Sequence, residues 1–406
     1  MPATHLSCTR CNTELPLEGV GACPRCLAPL EPAYDADALR RNLTRERIEA
    51  GPPSLWRYAP ILPVEPPTEP RLAPGLTPLV RAPRLAAELG LAELYLKLDT
   101  ANPTHSFKDR VVAVACAKAQ ELGLDTLACS STGNLANAIA ARAAAEGLDA
   151  VVFCPYDLER EKLVATAAYG ATIYAVRGTY DDCSRLTVEL SFELDWGFVN
   201  VGLRSYYAEG SKTVAYEIAE QLGWETPDVV VCPIASGSLL AKVDRGFRDF
   251  RSLGLANGPA PRLVGGQAAG CAPVATAFAE ERRVKPVRPN TVARSLAIGS
   301  PADGDAAIAA VRGSGGSIHA VAEPEVGENM ALLAETTGVF GETAAGVTLG
   351  ALREAIRRGE VSPDERVVLL VTGDGLKTPG PVGDRLAPVE IPADADALLA
   401  ELGVLT

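Results

Sequence analysis

The sequence predicts an α/β chain of parallel strands covered by helices, and three observations point there. Short apolar runs (LYLKL, TLACS, AVVFC, TIYAV, VVVCPI, RLVGG, VVLLV) alternate with alanine-rich stretches such as NLANAIAARAAAEG and SKTVAYEIAEQLG. That alternation marks strand–helix–strand units around parallel sheets. Hydrophobic residues reach 47% while aromatic ones are 5%, so the core is built from Ala, Val, Leu and Ile, as in helix-covered sheets. A chain of 406 residues has room for two or three domains at roughly 150 residues each.

Taken in order, residues 1–34 hold four of the ten cysteines. Cys8-x-x-Cys11 and Cys23-x-x-Cys26 form two knuckles of soft ligands, the arrangement that encloses a structural zinc ion in a zinc ribbon, with four reduced thiols as the alternative. The other six cysteines, Cys116, Cys129, Cys154, Cys183, Cys232 and Cys271, stand singly among apolar neighbours and are expected as buried thiols. Residues 35–50 read as a short charged helix. The proline-rich stretch that follows completes a connector over 35–75, expected to run extended over a surface because proline restricts φ and donates no hydrogen bond. Residues 76–390 form the catalytic body, and 391–406 a tail with the short helix ADALLAELG.

Four segments of the body carry the chemistry. In Asn102-Pro103-Thr104-His105-Ser106-Phe107-Lys108-Asp109-Arg110, Ser106 is a plausible N-cap, which puts Lys108 in the first turn of a helix. Acidic groups are favoured at that end, so a lysine there suits imine formation with a carbonyl cofactor; the ordinary alternative is a surface lysine paired with Asp109 or a glutamate. Ser130-Ser131-Thr132-Gly133-Asn134 joins a strand to a helix and leaves backbone N–H groups facing an anion such as a substrate carboxylate. Pro233-Ile234-Ala235-Ser236-Gly237-Ser238 is a phosphate nest without a Walker lysine. In Val371-Thr372-Gly373-Asp374-Gly375-Leu376-Lys377, a hydroxyl at the end of a central strand can meet a buried ring nitrogen. A plain turn is the alternative for the last three.

In this order the four segments resemble those of the pyridoxal-phosphate-dependent β-family, with its fold type II (tryptophan synthase β-like) architecture, and within it the threonine synthase family. NPTHSFKDR, STGN, TVARSLAIGSPADG, GVFGETAAGV and TGDGLK carry the resemblance, from about Leu76 to Pro379. It implies two parallel αβα domains, the smaller over roughly 110–200, behind a small zinc-ribbon-like segment. It also implies that Lys108 makes the Schiff base and shuttles protons, and that Asn134 bonds the cofactor's phenolic oxygen. Ala235, Ser236, Gly237 and Ser238 would hold the cofactor phosphate, Thr372 the pyridine nitrogen, with Phe107 beside them. Ser131, Thr132 and Gly133 would take the substrate carboxylate. The implied reaction expels phosphate from O-phosphohomoserine and adds water at the β carbon. Tyr207 stands near the usual place of an arginine, so Arg204 and Lys212 are the candidate cations for the leaving phosphate, since an anion buried alone is costly. A paralogue that acts on O-phosphoserine, serine or another activated amino acid is the alternative reading.

A formal net charge of −13 argues against nucleic acid as a partner, and against a zinc-ribbon nucleic-acid module on an inactive scaffold. Neither a membrane span nor a signal peptide is expected. The protein should be a cytoplasmic homodimer whose partner is a small-molecule amino acid. With His5, His105 and His319 as the only histidines and no G-x-S-x-G elbow, serine hydrolase chemistry has little support.

Overall fold

The computed structural model describes residues 3–131, 133–158, 160–385, 387–388, 390–391 and 393–402. Near the N-terminus β1 (Ala3–Cys8), β2 (Glu14–Leu15) and β3 (Leu30–Tyr34) form a small antiparallel sheet in the order β2-β1-β3. Two helices follow, Ala36–Asn42 and Arg45–Glu49, where one was expected. Leu43 leaves helical geometry, and the Thr44 hydroxyl caps the second helix by accepting from the Arg47 N–H.

The connector corrects a second expectation. Its first half does not lie extended on a surface but winds into a 3-10 turn over Leu55–Ile61 and buries Leu55, Trp56, Tyr58, Ile61, Leu62 and Val64, whereas residues 65–73 run over the surface outside any helix or strand. The apolar side chains between the prolines outweigh the extended bias of the prolines themselves.

The body has two sheets. The chain enters the larger one through β4 (Leu79–Arg81) and β5 (Glu93–Leu98). It then leaves to build the smaller sheet from β6 (Thr126–Ser130), β7 (Asp149–Pro155), β8 (Thr172–Val176) and β9 (Gly197–Phe198). It returns through β10 (Val229–Pro233), β11 (Arg262–Ala268), β12 (Ser317–Val321) and β13 (Arg366–Val371). The larger sheet has the order β12-β11-β10-β13-β5-β4, parallel except for the edge pair β4–β5; the smaller, β8-β7-β6-β9, is parallel throughout. Among the described residues no helix is long and apolar enough to cross a membrane.

The central strands β10 and β13 bury both faces, as their unbroken apolar runs require. Along β10, Val229 and Val231 join the core cluster that holds Leu94, Leu96 and Leu369, while Val230 and Cys232 join the one on the opposite face with Ile218 and Leu370. The six scattered cysteines are all buried free thiols. Strand β12 (SIHAV) is less apparent in sequence because Ser317 and His319 interrupt its apolar run. Both are buried, and the His319 Nε2 lies 2.9 Å from Ser317 Oγ and 2.8 Å from a Glu360 carboxylate oxygen.

Candidate active site

Lys108 opens the helix Lys108–Glu121, but Phe107 rather than Ser106 occupies the capping position, and no side chain caps this end. Ser106 instead follows a turn: it forms an isolated antiparallel bridge to Gly373, and its buried Oγ has no hydrogen-bond partner among the described residues. The Phe107 N–H donates to the Thr372 carbonyl at 2.9 Å, which ties the start of the lysine helix to the end of β13. Asp109, proposed as a possible partner for Lys108, accepts instead from the Thr104 N–H and hydroxyl at 2.8–3.0 Å. The Lys108 ammonium donates to Tyr207 Oη at 2.7 Å and lies 4.5 Å from the Phe107 ring centroid.

Beyond β6, Ser131 is buried, and its Oγ accepts from the Gly133 and Ala136 amides at 3.3 and 3.2 Å. Gly133 caps the helix Asn134–Glu146, and a Cβ there would meet nothing within 4 Å, so this backbone faces open space. Thr132, the third member of the expected carboxylate loop, lies outside the described residues. The Asn134 amide reaches across to the larger sheet's side of the molecule. Its Nδ2 donates to Glu342 at 3.0 Å, and its Oδ1 accepts from Lys377 Nζ at 2.8 Å. Burial raises the Glu342 carboxyl against the opposing pull of Asn134, Lys377 and Lys108, and burial lowers the Lys377 ammonium.

After β10, Gly237 adopts φ +95 and caps the fifteen-residue helix Ser238–Ser252 without a side-chain bond. A Cβ at Gly237 would stand 2.4 Å from the Asp303 carbonyl oxygen, so glycine is required for both its backbone angle and the close approach. Ser236 Oγ accepts from the Ser238 N–H at 3.4 Å, and the Ser236 carbonyl accepts from Asp303 at 2.9 Å. Ala235 is partly buried against the core of the larger sheet. The first-turn amides of this long helix form an anion-favouring end. Thr372 is buried directly after central strand β13.

The two candidate cations separate. Arg204 pairs with Asp303 beside the nest and is partly exposed. Lys212 is not brought to the site. Its ammonium is buried between Glu209 at 2.6 Å and Asp249 at 3.0 Å, a cluster that also holds Lys242 and the Tyr34 hydroxyl. Burial would raise Glu209, but Lys212 and Lys242 outweigh it and hold the carboxyl at about 2. A charge thus satisfied has little capacity left for a ligand.

The four N-terminal cysteines do converge, their sulfurs all within 4.8 Å of one another, with Cys8–Cys26 and Cys11–Cys26 at 3.4 Å and Cys11–Cys23 at 3.6 Å. Tetrahedral zinc with Zn–S near 2.3 Å sets sulfurs roughly 3.8 Å apart, so this donor set fits a zinc ion.

Tyr207, Glu342 and Lys377 were not among the expected site residues. For Tyr207 the signal was its position in place of an arginine; Glu342 and Lys377 lie within motifs already singled out, GVFGETAAGV and TGDGLK.

Residues 71–373 match the family model described as pyridoxal-phosphate dependent enzyme. Similar relatives include a threonine synthase of Methanocaldococcus jannaschii, 33% identical over 96% of this chain and 97% of that one. Another, from Methanosarcina acetivorans, is 34% identical over 97% of each. Among solved structures, the processed threonine deaminase isoform 2 of Solanum lycopersicum superposes with a TM-score of 0.63 at 20% identity, covering 77% of this chain and 88% of that one; at this identity the likeness concerns the fold.

Proposed function

The chain belongs to the pyridoxal-phosphate-dependent enzymes, among the threonine synthases, and on that premise we propose that it converts O-phospho-L-homoserine and water to L-threonine and phosphate with Lys108 as its central catalytic group. The residues fit the cofactor. Lys108 offers an amine for its carbonyl carbon, Thr372 a neutral hydroxyl for its ring nitrogen, and Ser236, Gly237 and Ser238 a nest for its phosphate. The buried Ser106 Oγ nearby has no partner among the described residues.

When bound, pyridoxal phosphate delocalises the electron pair left when an amino acid loses its α proton. Lys108 Nζ is the atom that takes and returns that proton. Glu342 and Lys377 fix which way the Asn134 amide points, with Nδ2 donating to both Glu342 carboxylate oxygens, so Nδ2 is the donor that would turn to the phenolic oxygen. The Gly133 backbone and its neighbours would receive the substrate carboxylate. Across the reaction the β carbon loses a proton and gains hydroxyl, while the γ carbon loses phosphate and gains a proton.

The observation that carries the choice of substrate is Arg204. Through Asp303 it is tied to the cofactor nest, and unlike buried Lys212 it is partly exposed and paired with one carboxylate, so its remaining N–H groups stand where a second phosphate, carried by the substrate, could be met. A screen of O-phosphohomoserine, O-phosphoserine and serine, followed by phosphate release and amino-acid analysis, tests the reading. Threonine and phosphate should appear together from O-phosphohomoserine alone. Turnover of O-phosphoserine or serine in its place would make the chain a β-replacement or dehydratase relative. We further propose a homodimer in the cytoplasm, on the family resemblance and the ten free thiols; sedimentation would check the assembly.

A further inference from the structure

We propose that Tyr207 is a second catalytic residue, a phenol that relays a proton between Lys108 and the phosphate of the substrate. This rests on the threonine synthase reading. That reaction takes protons from both the α and the β carbon, and a lysine that has accepted the first must shed it before it can accept the second. Tyr207 Oη is the atom in place to take it, 2.7 Å from Lys108 Nζ.

The helix that carries Tyr207, Arg204–Glu209, gives the relay a direction. Arg204 lies three residues earlier, and residues three apart share a helix face. The cation proposed for the substrate phosphate and the hydroxyl that touches Lys108 therefore stand side by side. The neighbours of Tyr207 fix the helix from behind: Ser205 Oγ donates to the Leu30 carbonyl at 2.9 Å, and Tyr206 Oη to the Glu18 carbonyl at 3.0 Å. Tyr207 itself spends its hydroxyl on Lys108. Arg204 stands on the same helix, and on the opposite wall Lys108 opposes the burial that raises the Glu342 carboxyl; the neutral titratable groups beside the pair are Tyr180 and Cys129.

In the step, Oη receives a proton from the Lys108 ammonium and passes its own hydrogen to a phosphate oxygen of the substrate. Tyrosine ends neutral, Lys108 ends as a free amine ready for the β proton, and the phosphate becomes a monoanion, a better leaving group. No oxidant or further co-reactant is needed.

The test is Tyr207→Phe in the holoenzyme, with cofactor stoichiometry and melting temperature measured as controls for folding. Turnover of O-phosphohomoserine should fall by about 10²-fold, a size usual for loss of a general acid–base group, with KM within about twofold. The visible spectrum of the bound cofactor should also shift, because a hydroxyl next to the Lys108 nitrogen has been removed. A parent-like kcat, or a spectrum identical to the parent's, would overturn the proposal. The spectrum needs no substrate, so it judges Tyr207 even if the parent fails to release phosphate from O-phosphohomoserine, a result that would sink the substrate reading instead.

Discussion

Lys108 is held by two kinds of bond, a backbone bond through Phe107 to Thr372 and a side-chain bond to Tyr207. The backbone bond survives truncation of the side chain, so Lys108→Ala should fold normally by circular dichroism while borohydride no longer fixes cofactor to the chain. Cofactor still trapped on another lysine would remove Lys108 from its role. Thr372 is the complementary case. Thr372→Ser keeps the hydroxyl and should keep most of the activity, whereas Thr372→Asp sets a carboxylate against the ring nitrogen and favours its protonation. The aspartate variant should release phosphate at least about tenfold more slowly and show an altered visible spectrum. If it matches the parent in both, Thr372 merely closes the turn before Gly373.

At the scale of elements, the N-terminal segment is joined to the machinery rather than appended to it. Leu6, Cys8, Cys23 and Leu30 pack in the same core cluster as Val111, Val112 and Ala115 of the lysine helix, and Glu31 pairs with Lys242 of the nest helix at 2.9 Å. One zinc per chain is expected from metal analysis of protein made with zinc present. Its removal by chelation should expose residues 8–30 to proteolysis and slow turnover severalfold, far less than Lys108→Ala; protein purified without zinc yet fully stable would count against the site. The candidate site segments stand out in sequence because each is a local pattern of strand end, small polar residues and helix start. Lys212 was misread because its partners, Glu209 and Asp249, are recognisable only once two helices pack together. The connector was misread because its prolines are visible in sequence while the partners of Trp56 and Tyr58 are not.

For the molecule as a whole, buried ion pairs set the response to acid. Burial would raise Glu217, but Arg110 and Lys97 hold it at about 2, as Lys212 and Lys242 hold Glu209. A carboxyl whose folded pKa lies below its unfolded value near 4.5 adds stability above that value and loses it as pH falls toward the folded one. Glu342 and Asp109, raised by burial, work the other way and complete their effect above the unfolded carboxyl range. Denaturant midpoints should therefore fall steeply between about pH 4.5 and 2, and Glu217→Gln should flatten that fall while lowering stability at neutral pH, because it removes the carboxylate paired with Lys97 and leaves Arg110 with Asp99 alone. A parent midpoint unchanged down to pH 2 would show that the pairs do not govern acid stability. The pairing of β5 with β13, Glu93–Leu98 against Arg366–Val371, also has a consequence for synthesis on the ribosome. The smaller sheet can assemble once residue 198 has emerged, but the centre of the larger one must wait for residue 371, and with it the Phe107–Thr372 bond that seats Lys108. Cofactor capture thus becomes a checkpoint on synthesis through β13, and a nascent chain stalled before it carries the reactive lysine without the wall that completes its site.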